Sequence, residues 1–199
     1  QGAAVPNDTN YSLQWHLPKI EAPQGWDTTT GSNNVPIAII DSGVDPAHPD
    51  LAGKLLLGHN YLDNSTNTAD VLGHGTAVAG TAAALSNNST GVAGVAWDNT
   101  IMPLVVLDSN NYASYSNIAN AITYAADCGV KVINISIGGS SSSSTLQNAV
   151  NYAWNKGCVI FACAMNNSTN TRYYPAACDN VVAVSATSSS DTLASFSNY

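Results

Sequence analysis

Short apolar runs punctuate the chain at Ile37 to Ile40, Ile101 to Leu107, Val130 to Ile137, Val159 to Ala164 and Val181 to Val184. Their length and their richness in branched residues predict buried strands. Between them lie helical patterns. Thr76 to Leu85 is rich in alanine, Asn117 to Asp127 puts Ile118, Ile122 and Ala125 on one face, and Leu146 to Lys156 stacks Leu146, Ala149, Val150 and Ala153 before a stop at Gly157. Strands that alternate with helices predict an α/β fold with a parallel sheet covered by helices. There is no internal repeat, linker or charge run. The only low-complexity stretch, Ser140 to Ser144, reads as a solvated loop leading into a helix.

Chemistry-bearing residues fall at the ends of those runs. Asp41 follows Ile37 to Ile40, Ser136 to Gly139 ends the run from Val130, and Asn166 follows Val159 to Ala164. In a parallel sheet the carboxyl ends share one edge, where ligands bind. His74 lies between Gly73 and Gly75 at the head of the alanine-rich helix, and the glycines would let another backbone come close to the imidazole. An acid at a strand end and a histidine at a helix start suit a proton relay. The acid fixes the tautomer, and the other ring nitrogen takes a proton from a nucleophile.

Composition narrows the classes. Over 199 residues, 45% are hydrophobic and 9% charged, which excludes a disordered chain and fits one domain with a sizeable core. No apolar run approaches the roughly 20 residues of a membrane span. The net charge of −8, with only 5 Lys and Arg, argues against nucleic acid as a partner. The absence of an initiating Met, with richness in Ser, Asn and Thr, leads to the expectation of a processed, secreted chain. Cys128, Cys158, Cys163 and Cys178 show no Cys-x-x-Cys spacing, so zinc chemistry is disfavoured. Buried free thiols are one reading; the other is disulfides Cys128–Cys158, before two strands that could be neighbours, and Cys163–Cys178, bracing the loop after Asn166. His16, His48 and His59 read as surface or structural residues, although Asp45, His48 and Asp50 have a spacing that could hold a metal.

A wider set of motifs in one order carries a resemblance: Lys19 to Trp26, Asp41-Ser42-Gly43, His48 to Lys54, Gly73 to Gly80, Asn87 to Gly91, Ile122 to Asp127, Ser136 to Gly139, Ala149 to Gly157 and Ala194 to Ser197. Together they resemble subtilisin-like serine endopeptidases, the subtilases. The resemblance implies a three-layer subtilisin-like fold, with residues 1–199 as the N-terminal majority of a single peptidase domain cut short at its C-terminal end. It implies that Asp41 orients His74, that His74 is general base and then general acid, and that Asn166 donates to the oxyanion.

The same resemblance implies that Ser136, Ile137 and Gly138 line the substrate pocket and that Asn111, Tyr112 and Ala113 form a second edge that pairs with extended peptide. It further implies a structural calcium held by Asp8, Asp50 and Asn88 with the carbonyls of Leu85, Thr90 and Val92, since hard oxygen donors suit calcium. A second calcium loop, Asn60 to Asp70, keeps Asp63 but has Asn60 and Ser65 where acids are expected.

Two departures bear on function. The family's nucleophilic serine stands in a Gly-Thr-Ser-Met-Ala segment, and residues 1–199 contain none. They are therefore expected to be inactive alone. Met165 stands where the family has a glycine beside the specificity pocket. The implied partners are protein or peptide substrates and a removed propeptide or C-terminal segment. The rival readings are a catalytically inactive subtilase-fold binding or structural protein, and a metal-dependent hydrolase built on Asp41, Asp45 and His48.

Overall fold

The apolar runs pair side by side in a six-stranded parallel sheet. The computed structural model describes residues 4–199. Its strands are β1 Ile37–Asp41, β2 His59–Asn60, β3 Ile101–Val105, β4 Val132–Ile135, β5 Val159–Cys163 and β6 Val181–Val184, in the order β2-β3-β1-β4-β5-β6. Registers such as Ile40 opposite both Leu104 and Ile135 align the carboxyl ends of the three central strands. The chain leaves β1 for one side of the sheet and later returns to the other at β4. That reversal opens a crevice beyond Asp41.

The helices are α1 His16–Lys19, α2 Ala22–Trp26, α3 His74–Ala83, α4 Tyr115–Asp127 and α5 Ser144–Asn155. Strand side chains alternate between faces. From β1, Ala38 and Ile40 reach a core shared with Ile118, Ile122, Leu146 and Val150 of α4 and α5, while Ile37 and Ile39 meet Ala79 and Ala83 of α3. Helices on both faces make three layers, as expected.

The starts of α4 and α5 lie ahead of the first apolar positions because hydroxyls cap them. Ser114 accepts from the Asn117 amide at 3.1 Å, and Ser143, inside the serine run, accepts from the Leu146 amide at 3.3 Å. The run from Ile101 stops pairing at Val105. Val106 and Leu107 stay buried, but both amides turn to the carbonyl of Asp41. Missing from the sequence expectation are the short elements β2, α1 and α2. The last of these packs Trp26 on Trp97 with ring centroids 4.6 Å apart.

The expected disulfides do not form: all four cysteines are free. Cys128 is exposed at the end of α4, whereas Cys158 is buried and its thiol contacts the Val130 carbonyl at 3.1 Å. Cys163 lies against Met165, with their sulfurs 3.5 Å apart, and Cys178 is buried in the core under α4 and α5. Burial pushes the Cys158, Cys163 and Cys178 thiols up, which keeps them protonated.

Candidate active site

Asp41 ends β1 with a side chain wholly removed from solvent. Its Oδ1 lies 2.7 Å from His74 Nδ1 and also accepts from the Ser42 amide at 2.7 Å. A carboxylate only accepts, so Nδ1 carries the hydrogen and Nε2 is left as the proton acceptor. Asp41 Oδ2 is buried with no hydrogen-bond partner among the described residues. Such an atom costs stability wherever packing alone matters, which makes the pair a candidate for a functional role.

The two glycines around His74 act differently. A Cβ on Gly75 would stand 2.1 Å from the Gly43 carbonyl and 3.1 Å from Asp41 Oδ1, so its bareness lets α3 approach β1. Gly73 has open space around it but a φ of +83°, so it is needed for the left-handed turn into the helix rather than for close approach.

Sequence reasoning did not assign the residue that ties this pair down. Asp70 Oδ1 accepts from Ser42 Oγ at 2.7 Å and from the amides of Leu72 and Gly73 at 2.9 Å each; its Oδ2 accepts from the Thr76 amide at 2.8 Å and the Thr76 hydroxyl at 2.5 Å. Ser42 Oγ in turn accepts from the Gly75 amide at 3.0 Å. Partial burial opposes the charge of Asp70, but these donors, led by the Thr76 hydroxyl, outweigh it and hold the carboxyl down at about 2. Asp70 thus links the residue after Asp41 to the first turn of the helix that starts at His74. The available signal was an unassigned acid just upstream of a helix start.

His74 lines a cleft of about 670 Å³ with Asn111, Tyr112, Ala113, Ser136, Ile137, Gly138, Met165 and Asn166. The structure therefore brings every predicted substrate residue to the edge that holds His74. A smaller cleft of about 230 Å³ adjoins it and shares Ser136, Cys163, Met165 and Asn166. Asn166 is exposed at the boundary of the two. Its loop is pinned on both sides, with Met165 O accepting from the Asn198 amide at 3.0 Å and the Asn167 amide donating to Asn198 Oδ1 at 2.7 Å.

The two predicted substrate edges differ. Ile137 and Gly138 make no backbone hydrogen bond among the described residues and are free to pair with an extended chain. The backbone of Tyr112 is already bonded to Asp108, through its amide to Oδ1 at 3.0 Å and its carbonyl to the Asp108 amide at 3.0 Å. Asn111 sits in a left-handed turn at φ 61°. That edge is closed back on itself.

The oxygen-rich residues of the N-terminal arm also converge. Asp8 and Asp50 are buried at 5% and 1% exposure. Asp8 Oδ2 accepts from the Asn87 amide at 2.7 Å, while its Oδ1 has no partner among the described residues. Asp50 accepts from Asn88 Nδ2 at 3.0 Å and from the Val92 amide at 2.8 Å. The carbonyls of Leu85, Thr90 and Val92 accept no hydrogen bond among the described residues. An orphaned buried carboxylate oxygen beside free carbonyls fits a hard cation, with the Asn88 amide turned over to offer its oxygen.

The other predicted metal residues are occupied differently. Among the described residues no group of three or more His, Cys, Asp or Glu can hold a metal, so the Asp45, His48 and Asp50 cluster does not form. His48 Nδ1 accepts from the Asp50 amide, and Asp45 Oδ1 accepts from the Ala47 amide; both are turn caps. His59 packs on Tyr61 with ring centroids 4.6 Å apart. In the Asn60 to Asp70 loop, Asn60 Oδ1 and Asp63 Oδ1 accept from the amides of Leu62 and Ser65.

Known proteins share this architecture. The family described as the subtilase family, Peptidase_S8, matches residues 32–199. The thermophilic serine proteinase of Bacillus sp. (strain AK1) is 49% identical over 198 residues, which are 99% of this chain and 49% of that protein. Thermitase of Thermoactinomyces vulgaris is 48% identical over 196 residues, 98% of this chain and 70% of thermitase. A solved protease of Pseudoalteromonas arctica PAMC 21717 superposes with a TM-score of 0.91 at 33% identity, covering 98% of this chain and 70% of that one. The chain thus spans 49% to 70% of the length of these relatives. With the sheet order, the Asp41–His74 pair and the matched length all in agreement, the chain belongs to the subtilase family.

Proposed function

We propose that these residues form the acid–base and oxyanion side of a secreted serine endopeptidase, its nucleophilic serine lying outside residues 1–199. The observation that carries this reading is the buried Asp41 bound to His74 at 2.7 Å, where His74 opens on a cleft lined by Ser136–Gly138 and Asn166. In the proposed mechanism a peptide lies along Ile137 and Gly138, whose free backbone groups read main chain rather than side chains. His74 Nε2 takes the serine proton as the carbonyl is attacked and returns it to the leaving amine. Asp41 holds the ring and stabilises its charged form. Asn166 donates its amide to the oxyanion, a contribution of about 3 to 4 kcal/mol in subtilisin. Residues 1–199 alone lack an attacking group and would leave peptides intact.

The buried oxygens of Asp8 and Asp50, with Asn88 and the carbonyls of Leu85, Thr90 and Val92, would hold one structural calcium; the bound ion would neutralise the two carboxylates and tie the N-terminal arm to the chain after α3. Peptide substrates suit an acidic surface that repels phosphates. No helix among the described residues is long and apolar enough to cross a membrane. Richness in Ser, Asn and Thr supports an extracellular setting.

A fluorophosphonate probe applied to the native protein tests the reading. Stoichiometric labelling with loss of peptide cleavage is expected. Peptide binding without labelling would instead favour an inactive subtilase-fold binding protein, and chelator-sensitive cleavage without labelling would favour metal chemistry.

A further inference from the structure

Met165 is a large side chain in a left-handed backbone, φ +78°, at the carboxyl end of the sheet. An unbranched residue held there costs on the order of 1 kcal/mol or more over glycine, and strain of this kind persists where the surroundings enforce it. The enforcement is visible: the Ala164 amide is bound to the Val184 carbonyl, and the Met165 carbonyl to the Asn198 amide. The strained side chain is aimed between β4 and β5. Its Sδ lies 3.5 Å from Cys163 Sγ and 3.3 Å from where a Cβ on Gly138 would be. Met165 lines both the large and the small cleft. It therefore stands as a wall across what would otherwise be one continuous hollow beside Gly138.

We infer that Met165 sets substrate specificity, restricting the peptide residue on the acyl side of the scissile bond to a small side chain such as alanine or glycine. The inference rests on the proposed peptide-cleaving role of the cleft. A chain paired along Ile137 and Gly138, with its carbonyl between His74 and Asn166, must direct that residue's side chain at the space filled by the thioether. A methyl group fits beside the sulfur. An aromatic ring would require Met165 to leave its contact with Cys163, and the pinned loop gives it little room.

The test compares two peptides of equal length, uncharged except for a free carboxyl terminus, ending in alanine or in phenylalanine. Binding is measured by NMR titration to the chain, to Met165→Gly and to Met165→Ala. The alanine peptide is expected to bind the unmodified chain at least about tenfold more tightly than the phenylalanine peptide, the scale at which pocket volume discriminates. Both variants should erase that ratio through tighter binding of phenylalanine. Met165→Gly should also melt no lower than the parent, since glycine suits the backbone, so loss of folding does not obscure the outcome. Met165→Ala keeps the backbone strain and separates bulk from conformation. An unchanged ratio in both variants, or a parent preference for phenylalanine, would overturn the inference and leave the peptide-cleft reading intact. No binding of either peptide to any of the three proteins would overturn both.

Discussion

The two faces of the sheet part company toward β6. On the side of α4 and α5, Ala38, Ile40, Leu104, Ile133, Ile135 and Ile160 are buried across β1, β3, β4 and β5. On the α3 side the same alternation gives fully covered Ile37 and Ile39 in β1, then half-covered Val132 and Phe161, and finally Val182 and Val184 at 46% and 49% exposure. Register places Val182 beside Phe161 and Val184 beside Cys163, so the bare residues form one apolar strip. Asp41 and His74 are built from the covered part, where α3 meets β1, whereas Met165 and Asn166 border the strip and the small cleft that opens on it. The proposed acid–base pair and the proposed substrate contacts thus sit in differently supported regions.

Substitutions should expose that difference. Gly75→Ala drives a Cβ into the Gly43 carbonyl, which is backbone and cannot turn aside; a loss of about 3 kcal/mol or more and a broken Asp41–His74 contact are expected from urea midpoints and imidazole NMR. Leu104→Ala, in the covered core, should cost about 3 kcal/mol, whereas Val184→Ser on the strip should stay within about 0.5 kcal/mol. Equal costs at Leu104 and Val184 would erase the distinction between the two regions.

Excess chelator should lower the melting temperature, because an ion that binds only the folded state at 100 times its Kd contributes about 2.7 kcal/mol. Asp8→Asn should abolish that chelator effect. An unchanged melting curve in chelator would count against the calcium. Asp70→Asn should cost on the order of 2 kcal/mol by weakening charge-assisted hydrogen bonds. It should also move the imidazole NMR signals of His74 in the folded protein, which mere loss of stability would not do. The carboxyl of Asp70 is held down at about 2 against an ordinary value of 3.8, so its contribution is fully present only above about pH 5 and is lost progressively as pH falls through 3.8 towards 2. In Asp70→Asn that segment of the acid unfolding profile should flatten.

Much of this was legible in the sequence, because it rests on local signals. Apolar runs located β1, β3, β4, β5 and β6, and the carboxyl ends of those runs located Asp41, Ser136 to Gly138 and Asn166. Other features depended on contacts that no local pattern encodes. The two residues of β2 are strand only because they pair with Leu104 and Val105. Asp70 is identifiable only when Ser42 and Thr76 are seen to converge on it. Of the two readings of the cysteines, free thiols hold and the disulfides fail, because strand neighbours do not imply neighbouring thiols: Cys128 faces solvent while Cys158 faces the core. The Asn111–Ala113 edge rests on resemblance; these residues do line the cleft, with the Tyr112 backbone bonded to Asp108, a contact that no local pattern encodes.

The central claim is that His74, oriented by Asp41, is the base of a peptide-cleaving site. Turnover of a long unstructured peptide by the native protein and by its His74→Ala variant, compared at equal folding and saturating substrate, tests it most directly. The account predicts a fall in kcat of about a millionfold, as when the histidine of a subtilisin is removed, with little change in KM. Cleavage by His74→Ala within about tenfold of the parent would contradict it.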